Sequence, residues 1–185
     1  MKVDVFDFDG TLIKGDSIKL FCKWVCKSKV EFLWRYYSFY FYFKTFKDLK
    51  FKRSNFFHSL MIKRGKKISE FHCILNANLF KDSIELIKPD NLNRIVVSAS
   101  FEEIIGSYCR DILNLESISN NLNDHQLDVN YYQKLKSLRK KYGDDVIIRK
   151  AYGNSEGDFE LLKNAKFSLY RNKKGEIVNW INPKL

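Results

Sequence analysis

The sequence is poor in the residues that interrupt or cross-link a chain. Only two prolines occur in 185 residues, which argues against long disordered linkers. Its four cysteines, Cys22, Cys26, Cys73 and Cys109, form no CxxC pair. Cys22 and Cys26 stand one helical turn apart, yet no His or Cys close by completes a metal set around them. Buried, reduced thiols of a cytoplasmic protein are the reading they support. No apolar segment of signal-peptide type follows Met1-Lys2-Val3-Asp4. No run reaches the roughly 18 apolar residues of a membrane-spanning helix, and no internal repeat is present. A chain of this length buries roughly 70% of its unfolded surface, enough for one unstapled domain or one domain carrying an insertion.

Acidic residues are the next shortage: 22 against 33 basic ones, a net charge of +11. That surplus favours an anionic partner, whether a phosphorylated substrate, an acidic membrane surface or nucleic acid. Nucleic acid ranks last, because no RNP, zinc or helix-turn-helix signature occurs and the acids near the N-terminus would be left without a role.

Composition divides the chain. Residues 15–83 contain almost no glycine and no proline, are rich in Phe, Tyr, Trp and Lys, and read as helices. Asp16-Ser17 caps a first helix through Val25. A nearly all-aromatic second follows over Phe32 to Phe43, with shorter ones over Asn55 to Lys63 and, capped by Ser69, to Leu79. From residue 84 short strands alternate with helices. The β-branched run Arg94-Ile95-Val96-Val97 ends at Ser98, and Ser100-Phe101-Glu102-Glu103 reads as a capping box opening a helix through Ile112. A strand near Ser117, a basic helix from about Tyr131 to Tyr142 closed by Gly143, and strands over 146–153, 167–169 and 177–181 complete the pattern. Alternation of this kind implies an α/β fold with a Rossmann-like parallel sheet. Its first strand comes from residues 1–14 and the rest from 84–185, with 15–83 inserted as helices over the first strand's carboxyl end. Open α/β sheets bind ligands at that edge, so the insertion is placed as a lid.

At that edge lies Val5-Phe6-Asp7-Phe8-Asp9-Gly10-Thr11-Leu12. A strand over Val3 to Phe8 would point Asp7 and Asp9 the same way. Two carboxylates so close repel unless a cation or a proton sits between them, and Mg²⁺ suits such a pair. Three more segments fall at strand ends or on an adjoining helix: Ser98-Ala99-Ser100, a lysine of the basic helix (Lys134 or Lys136), and Gly153-Asn154-Ser155-Glu156-Gly157-Asp158. Nucleophile, acid/base, cation and phosphate-binding charge are the parts that phosphoryl transfer to a carboxylate requires.

In this order and spacing the set resembles the haloacid dehalogenase (HAD) superfamily of phosphohydrolases, over essentially the whole chain. The insertion after the first motif is similar to a C1-type helical cap. The segments around Ser98 and Gly153 are similar to the subfamily holding phosphoserine phosphatases and phosphatidylglycerophosphatase C. The resemblance implies Asp7 as a nucleophile forming an aspartyl-phosphate and Asp9 as acid and base, oriented by Thr11. It implies phosphate binding by Ser98, Ala99, Thr11 and a lysine, Lys134 fitting the family's layout better than Lys136. Mg²⁺ would be held by Asp7, Asp9, Asn154 and Asp158. Asn154 stands where many relatives have an aspartate, so it brings a carbonyl oxygen without charge.

The aromatic stretch carries the clue to specificity. As a helix it places Leu33, Tyr36, Tyr37, Tyr40, Phe43 and Lys44 on one side, with Trp34, Phe39 and Phe41 spread over others. A helix apolar all round is buried or lies against lipid. Trp and Tyr flanked by Lys27, Lys29, Arg35, Lys44 and Lys47 suit a membrane interface. The expected substrate is therefore a lipid-linked phosphate met at the inner face of a membrane, with a soluble phosphoserine-like or sugar phosphate as the competitor.

Overall fold

The computed structural model describes residues 1–45, 49–88, 93–122, 129 and 133–181, and the side chains of all these except 39–45 and 49–54. The aromatic side chains from Phe39 to Phe43, with Lys44 and Lys47, therefore lie outside the described residues, as does most of the loop after Asn120. The elements run β1 (Lys2–Phe6), α1 (Ser17–Val25), α2 (Lys29–Thr45), α3 (Leu49–Lys63), α4 (Ile68–Ala77), α5 (Ser83–Leu86), β2 (Asn93–Phe101), α6 (Glu102–Asp111), β3 (Glu116–Asn120), α7 (Lys134–Tyr142), β4 (Ile147–Gly153), a 3₁₀ turn (Glu156–Asp158), α8 (Phe159–Lys163), β5 (Ala165–Arg171) and β6 (Ile177–Asn179).

One six-stranded sheet has the order β3-β2-β1-β4-β5-β6. The first five strands pair parallel, and β6 pairs antiparallel with β5. The last strand thus departs from the all-parallel expectation for a simple reason. Only the turn between Arg171 and Ile177 joins it to β5, too short for a crossover. β1 lies at the centre, flanked by β2 and β4, which aims its carboxyl end at the sheet's ligand-binding edge.

Residues alternate between the two faces with period 2. Val3, Val5, Ile95, Val97 and Ile148 pack with Leu138 of α7 and Leu161 and Leu162 of α8. Phe6, Phe8, Val96 and Phe101 face the other way. There they share one core with Phe21 and Val25 of α1, Phe57 and Met61 of α3, Phe71 and Leu75 of α4, and Ile104, Ile105 and Tyr108 of α6. The helices of 15–83 are therefore continuous with the sheet's core. Truncating a ring such as Phe8, fully buried, costs about 3–5 kcal/mol in such a setting.

The inserted segment leaves and returns side by side. Lys14 N–H donates to the Asn78 carbonyl at 2.7 Å and Phe80 N–H to the Leu12 carbonyl at 3.0 Å, and Ser83 Oγ donates to the same Leu12 carbonyl at 2.8 Å.

Local signals held unevenly. Asp16 caps α1, its carboxylate accepting from Lys19 N–H at 2.7 Å. Gly143, at φ 90°, ends α7 with its N–H on the Arg139 carbonyl. Ser69 does not cap α4, whose N-cap is Lys67 without a side-chain bond. The box at Ser100–Glu103 does not form either. β2 runs on to Phe101, Ser100 Oγ lies 2.7 Å from Ser17 Oγ, and Glu103 accepts from Leu122 N–H instead. Cys73 is exposed, the other three cysteines buried.

On α2 the inner face is Phe32, whose ring lies tilted against that of Tyr36 with centroids 5.1 Å apart. Val30, Leu33, Trp34 and Tyr37 stand exposed, Trp34 at 71%. Tyr36 thus turns inward, apart from Leu33 and Tyr37, because Phe32, one helical turn before it, already lines the core. Among the described residues no helix is long and apolar enough to cross a membrane.

Candidate active site

β1 stops at Phe6, but its direction is kept for one more residue by Asp7 N–H, which donates to the Tyr152 carbonyl on β4 at 2.9 Å. The chain then folds back on itself. The Phe8 carbonyl accepts from Leu12 and Ile13 N–H at 3.0 and 3.1 Å, and Gly10 supplies the left-handed turn at φ 74°. Buried Phe8, Leu12 and Ile13 anchor this loop, so Asp7 and Asp9 are presented on a fixed backbone.

Asp7 lies at the centre of an ionic network. Its Oδ1 accepts from Lys134 Nζ and its Oδ2 from Thr11 Oγ1 at 3.0 Å. Lys134, the first residue of α7 and 4% exposed, also donates to Asp158 Oδ1 at 2.7 Å. The other Asp158 oxygen accepts from Asn154 N–H, Ser155 N–H and Ser155 Oγ at 2.9 to 3.0 Å. Asp158 thereby shapes the turn after β4 and anchors the lysine. Gly153 is required beside it, since a Cβ there would stand 2.4 Å from Asp158 Cβ.

Asp9 has different partners. It accepts from Ser17 N–H at 2.7 Å and from Ser17 Oγ at 3.1 Å, and Ser100 Oγ completes the chain at Ser17. Thr11 therefore orients Asp7, not Asp9 as the resemblance implied; Ser17 takes that part. The Thr11 side chain is wholly buried behind Asp7, away from any substrate.

These environments separate the two acids. Burial raises Asp7 from 3.8 to about 6, with Asp158 adding to the rise and Lys134 and Thr11 opposing it. Burial also raises Asp9, helped by Asp16 and Asp7, to about 8, and Ser17 only partly offsets this. Burial disfavours the Lys134 ammonium, but Asp7 and Asp158 outweigh it and hold the pKa above its ordinary value. Lys134 and Thr11 thus favour the ionised form of Asp7, while the surroundings of Asp9 favour its protonated form more strongly.

Asp7, Asp9, Ser98, Ala99, Lys134 and Asn154 all line one cavity of about 830 Å³. Asn154 closes against the catalytic loop: a Cβ on Gly10 would fall 2.0 Å from its Nδ2. Ser98, buried, accepts from Ser100 N–H at 3.1 Å. Asp158 does not line the cavity; its oxygens accept from Lys134, Asn154 and Ser155, which places it behind the lysine. Among the described residues no group of three His, Cys, Asp or Glu gathers as a metal site. The Asp7 carboxylate, the Asp9 main-chain carbonyl and the uncharged Asn154 amide oxygen nonetheless fit a Mg²⁺ that keeps several of its waters. Lys136, two residues on, lines a separate cavity with Arg139 and Lys140. About 200° of helix separates it from Lys134.

Ser17 and the mouth of the cavity were not legible. Lys14, Lys19, Asn172, Lys173 and Lys174 stand there, the last three from the turn between β5 and β6. No spacing signal ties that turn to Asp7; it arrives through the sheet order.

Fold and site together define an α/β enzyme with paired acids at the carboxyl end of its central strand. The model of haloacid dehalogenase-like hydrolases matches residues 5–163, and the chain belongs to that family. Among solved structures, a protein of unknown function from Bordetella pertussis Tohama I is similar with a TM-score of 0.71 at 13% identity, covering 90% of this chain and 88% of that one. A phosphoserine phosphohydrolase-like protein from Francisella tularensis subsp. tularensis SCHU S4 gives 0.57 at 21% identity, over 91% and 86%. A phosphoserine phosphatase captured as a phospho-aspartyl intermediate analogue gives 0.51 at 19%, over 91% and 85%. These likenesses speak for the fold. No curated protein matches the chain.

Proposed function

We propose that the chain is a phosphomonoester hydrolase working through an aspartyl-phosphate on Asp7. The observation that carries this reading is the split between the two acids. Asp7 accepts from a buried lysine, Asp9 two residues away accepts from Ser17 instead, and burial raises Asp9 further, to about 8 against about 6 for Asp7. Environments that push two titratable groups apart in this way suit a nucleophile and a general acid.

In the first step an Asp7 oxygen attacks phosphorus, the ester oxygen departs, and Asp9 gives that oxygen its proton. In the second, water attacks the acyl phosphate, Asp9 takes the proton back, and inorganic phosphate leaves Asp7 free. Lys134, the Ser98 hydroxyl and the backbone at Ala99 face the phosphoryl oxygens. Asp7, Asp9 and Asn154 would hold Mg²⁺, which supplies positive charge against those oxygens when bound. Residues 15–83 act as a C1-type cap over a core of 1–14 and 84–185.

The substrate we assign is a lipid-linked phosphate such as phosphatidylglycerophosphate or a polyprenyl phosphate, met by a peripheral enzyme at the cytoplasmic membrane surface. Exposed Val30, Leu33, Trp34 and Tyr37, with Lys27 and Lys29 beside them, support it. The likeness to structures titled as phosphoserine phosphatase favours a second reading, a soluble small metabolite.

Mg²⁺-dependent hydrolysis of p-nitrophenyl phosphate tests the chemistry. Asp7→Asn and Asp9→Asn should each abolish it, and activity surviving the first change would sink the aspartyl-phosphate route. A panel of phospholipids and phosphorylated metabolites separates the two substrates.

A further inference from the structure

The mouth of the cavity carries charge that the reaction does not use. Lys14, Lys19, Lys173 and Lys174 line it, and none makes an ion pair among the described residues. Asp16, which lines the mouth beside them, is engaged in capping α1, and Glu176 accepts from Asn172 on the turn. Lys134 already serves the floor. Four unpaired ammonium groups at one opening repel one another, so their gathering asks for an anion.

The turn that brings Lys173 and Lys174 there is built, not loose. Asn172 Oδ1 accepts from Lys174 and Glu176 N–H at 2.9 and 3.0 Å. Gly175, at φ 86°, lies against Phe80, whose ring a Cβ would meet at 3.0 Å. Beneath it, Arg171 is 2% exposed. It donates to the Thr11 carbonyl of the catalytic loop at 2.7 Å, to the Gly175 carbonyl at 2.6 Å, and with two nitrogens to Asp82. Its guanidinium also lies 4.0 Å from the Phe80 ring centroid. One buried arginine thus ties the lysine-bearing turn to the loop that carries Asp7, and the same ring lies under Lys14 at 5.7 Å.

We infer that this rim is a second anion subsite, and that the substrate carries a second phosphate besides the one hydrolysed. A phosphomonoester offers the four amines three non-bridging oxygens and nearly two charges, more than a carboxylate, and a phosphodiester offers two such oxygens and one charge, both through anionic phosphoryl oxygens. The inference deepens the proposed hydrolysis and takes its orientation from it, the scissile group on the floor and the second phosphate at the rim. A phosphodiester of a lipid headgroup and the second phosphate of a free bisphosphate share this chemistry.

Titration calorimetry of the whole chain with butane and octane bisphosphonates, against butylphosphonate, reads the subsite without turnover. At least one bisphosphonate should bind about tenfold tighter than the monophosphonate at low salt, with the gap closing as salt rises. Lys173→Ala/Lys174→Ala should shrink that preference several-fold, and Lys173→Arg/Lys174→Arg should keep it. These four side chains are solvent-exposed, so both variants should fold. No preference in the wild type, or one untouched by the alanine pair, overturns the inference. Competition by phosphatidylglycerophosphate micelles well beyond that of glycerol bisphosphate assigns the lipid source, and equal competition assigns the free one. Failure of both to compete also overturns it. Preference without any p-nitrophenyl phosphate hydrolysis would sink the reaction while leaving the subsite standing.

Discussion

On the floor of the cavity Asp7 and Lys134 are buried, with Asp158 behind them, and each of these charged groups has a partner. At the rim Lys14, Lys19, Lys173 and Lys174 are exposed, without an ion pair among the described residues. The floor tolerates no rearrangement, because in low dielectric each removed partner strands a charge. The rim sits in water, where a lysine gained or lost costs the fold almost nothing. Chemistry is therefore fixed by burial, and selectivity is left free to vary.

Breaking the floor gives the largest expected effect. Lys134→Ala leaves Asp7 and Asp158 facing each other without a cation. It should lower stability by about 3–5 kcal/mol and remove essentially all turnover. Denaturant unfolding reads the first and p-nitrophenyl phosphate hydrolysis the second. Lys136→Ala, on the other side of the helix, should do neither.

A subtler break separates stability from activity. Asp9 holds its proton to about pH 8 in the folded chain, against 3.8 ordinarily. Between those values the unfolded chain has released a proton that the folded one keeps, so raising pH across that window destabilises the fold. Asp9→Asn cannot ionise. In metal-free buffer its melting temperature should exceed the wild type's by about 4 °C or more at pH 8, the difference narrowing toward pH 4, while the variant is inactive. In the wild type, turnover should fall off below about pH 6 as Asp7 protonates and above about pH 8 as Asp9 ionises.

The smallest effect belongs to the outer face of α2. Trp34→Glu/Tyr37→Glu should leave the melting temperature nearly unchanged, since both rings are exposed. Co-sedimentation with anionic vesicles should drop several-fold. Equal sedimentation of variant and wild type would exclude this face from lipid contact.

The sequence carried the floor because its residues sit at strand ends, where a short motif and a period-2 run announce both position and chemistry. Asp7, Asp9, Ser98, Lys134 and Asn154 all reach the cavity. Asp158 was read as a Mg²⁺ ligand, and its oxygens accept from Lys134 and the 154–155 turn. Thr11 turned to Asp7 and left Asp9 to Ser17, because hydroxyl direction after a left-handed glycine turn depends on backbone angles that spacing does not encode. The false capping box at Ser100 shows the same limit: β2 extends past it, and its hydroxyl is recruited across 83 positions by Ser17. Arg171 and the lysine turn were invisible, since only the order of strands in the sheet brings residue 171 to residue 11.

The pairing of residues 12–14 with 78–80 has one further consequence. It fixes the two ends of the intervening helices at one spot, so that stretch is a closed excursion from the sheet. The entropy of closing such an excursion grows only with the logarithm of its length. The length of the stretch could thus change at little closure cost, provided Phe57 and Met61 of α3 kept their place in the shared core and Ser17 stayed within reach of Asp9. The excursion's root is under chemical constraint, and its far end is open to rapid divergence.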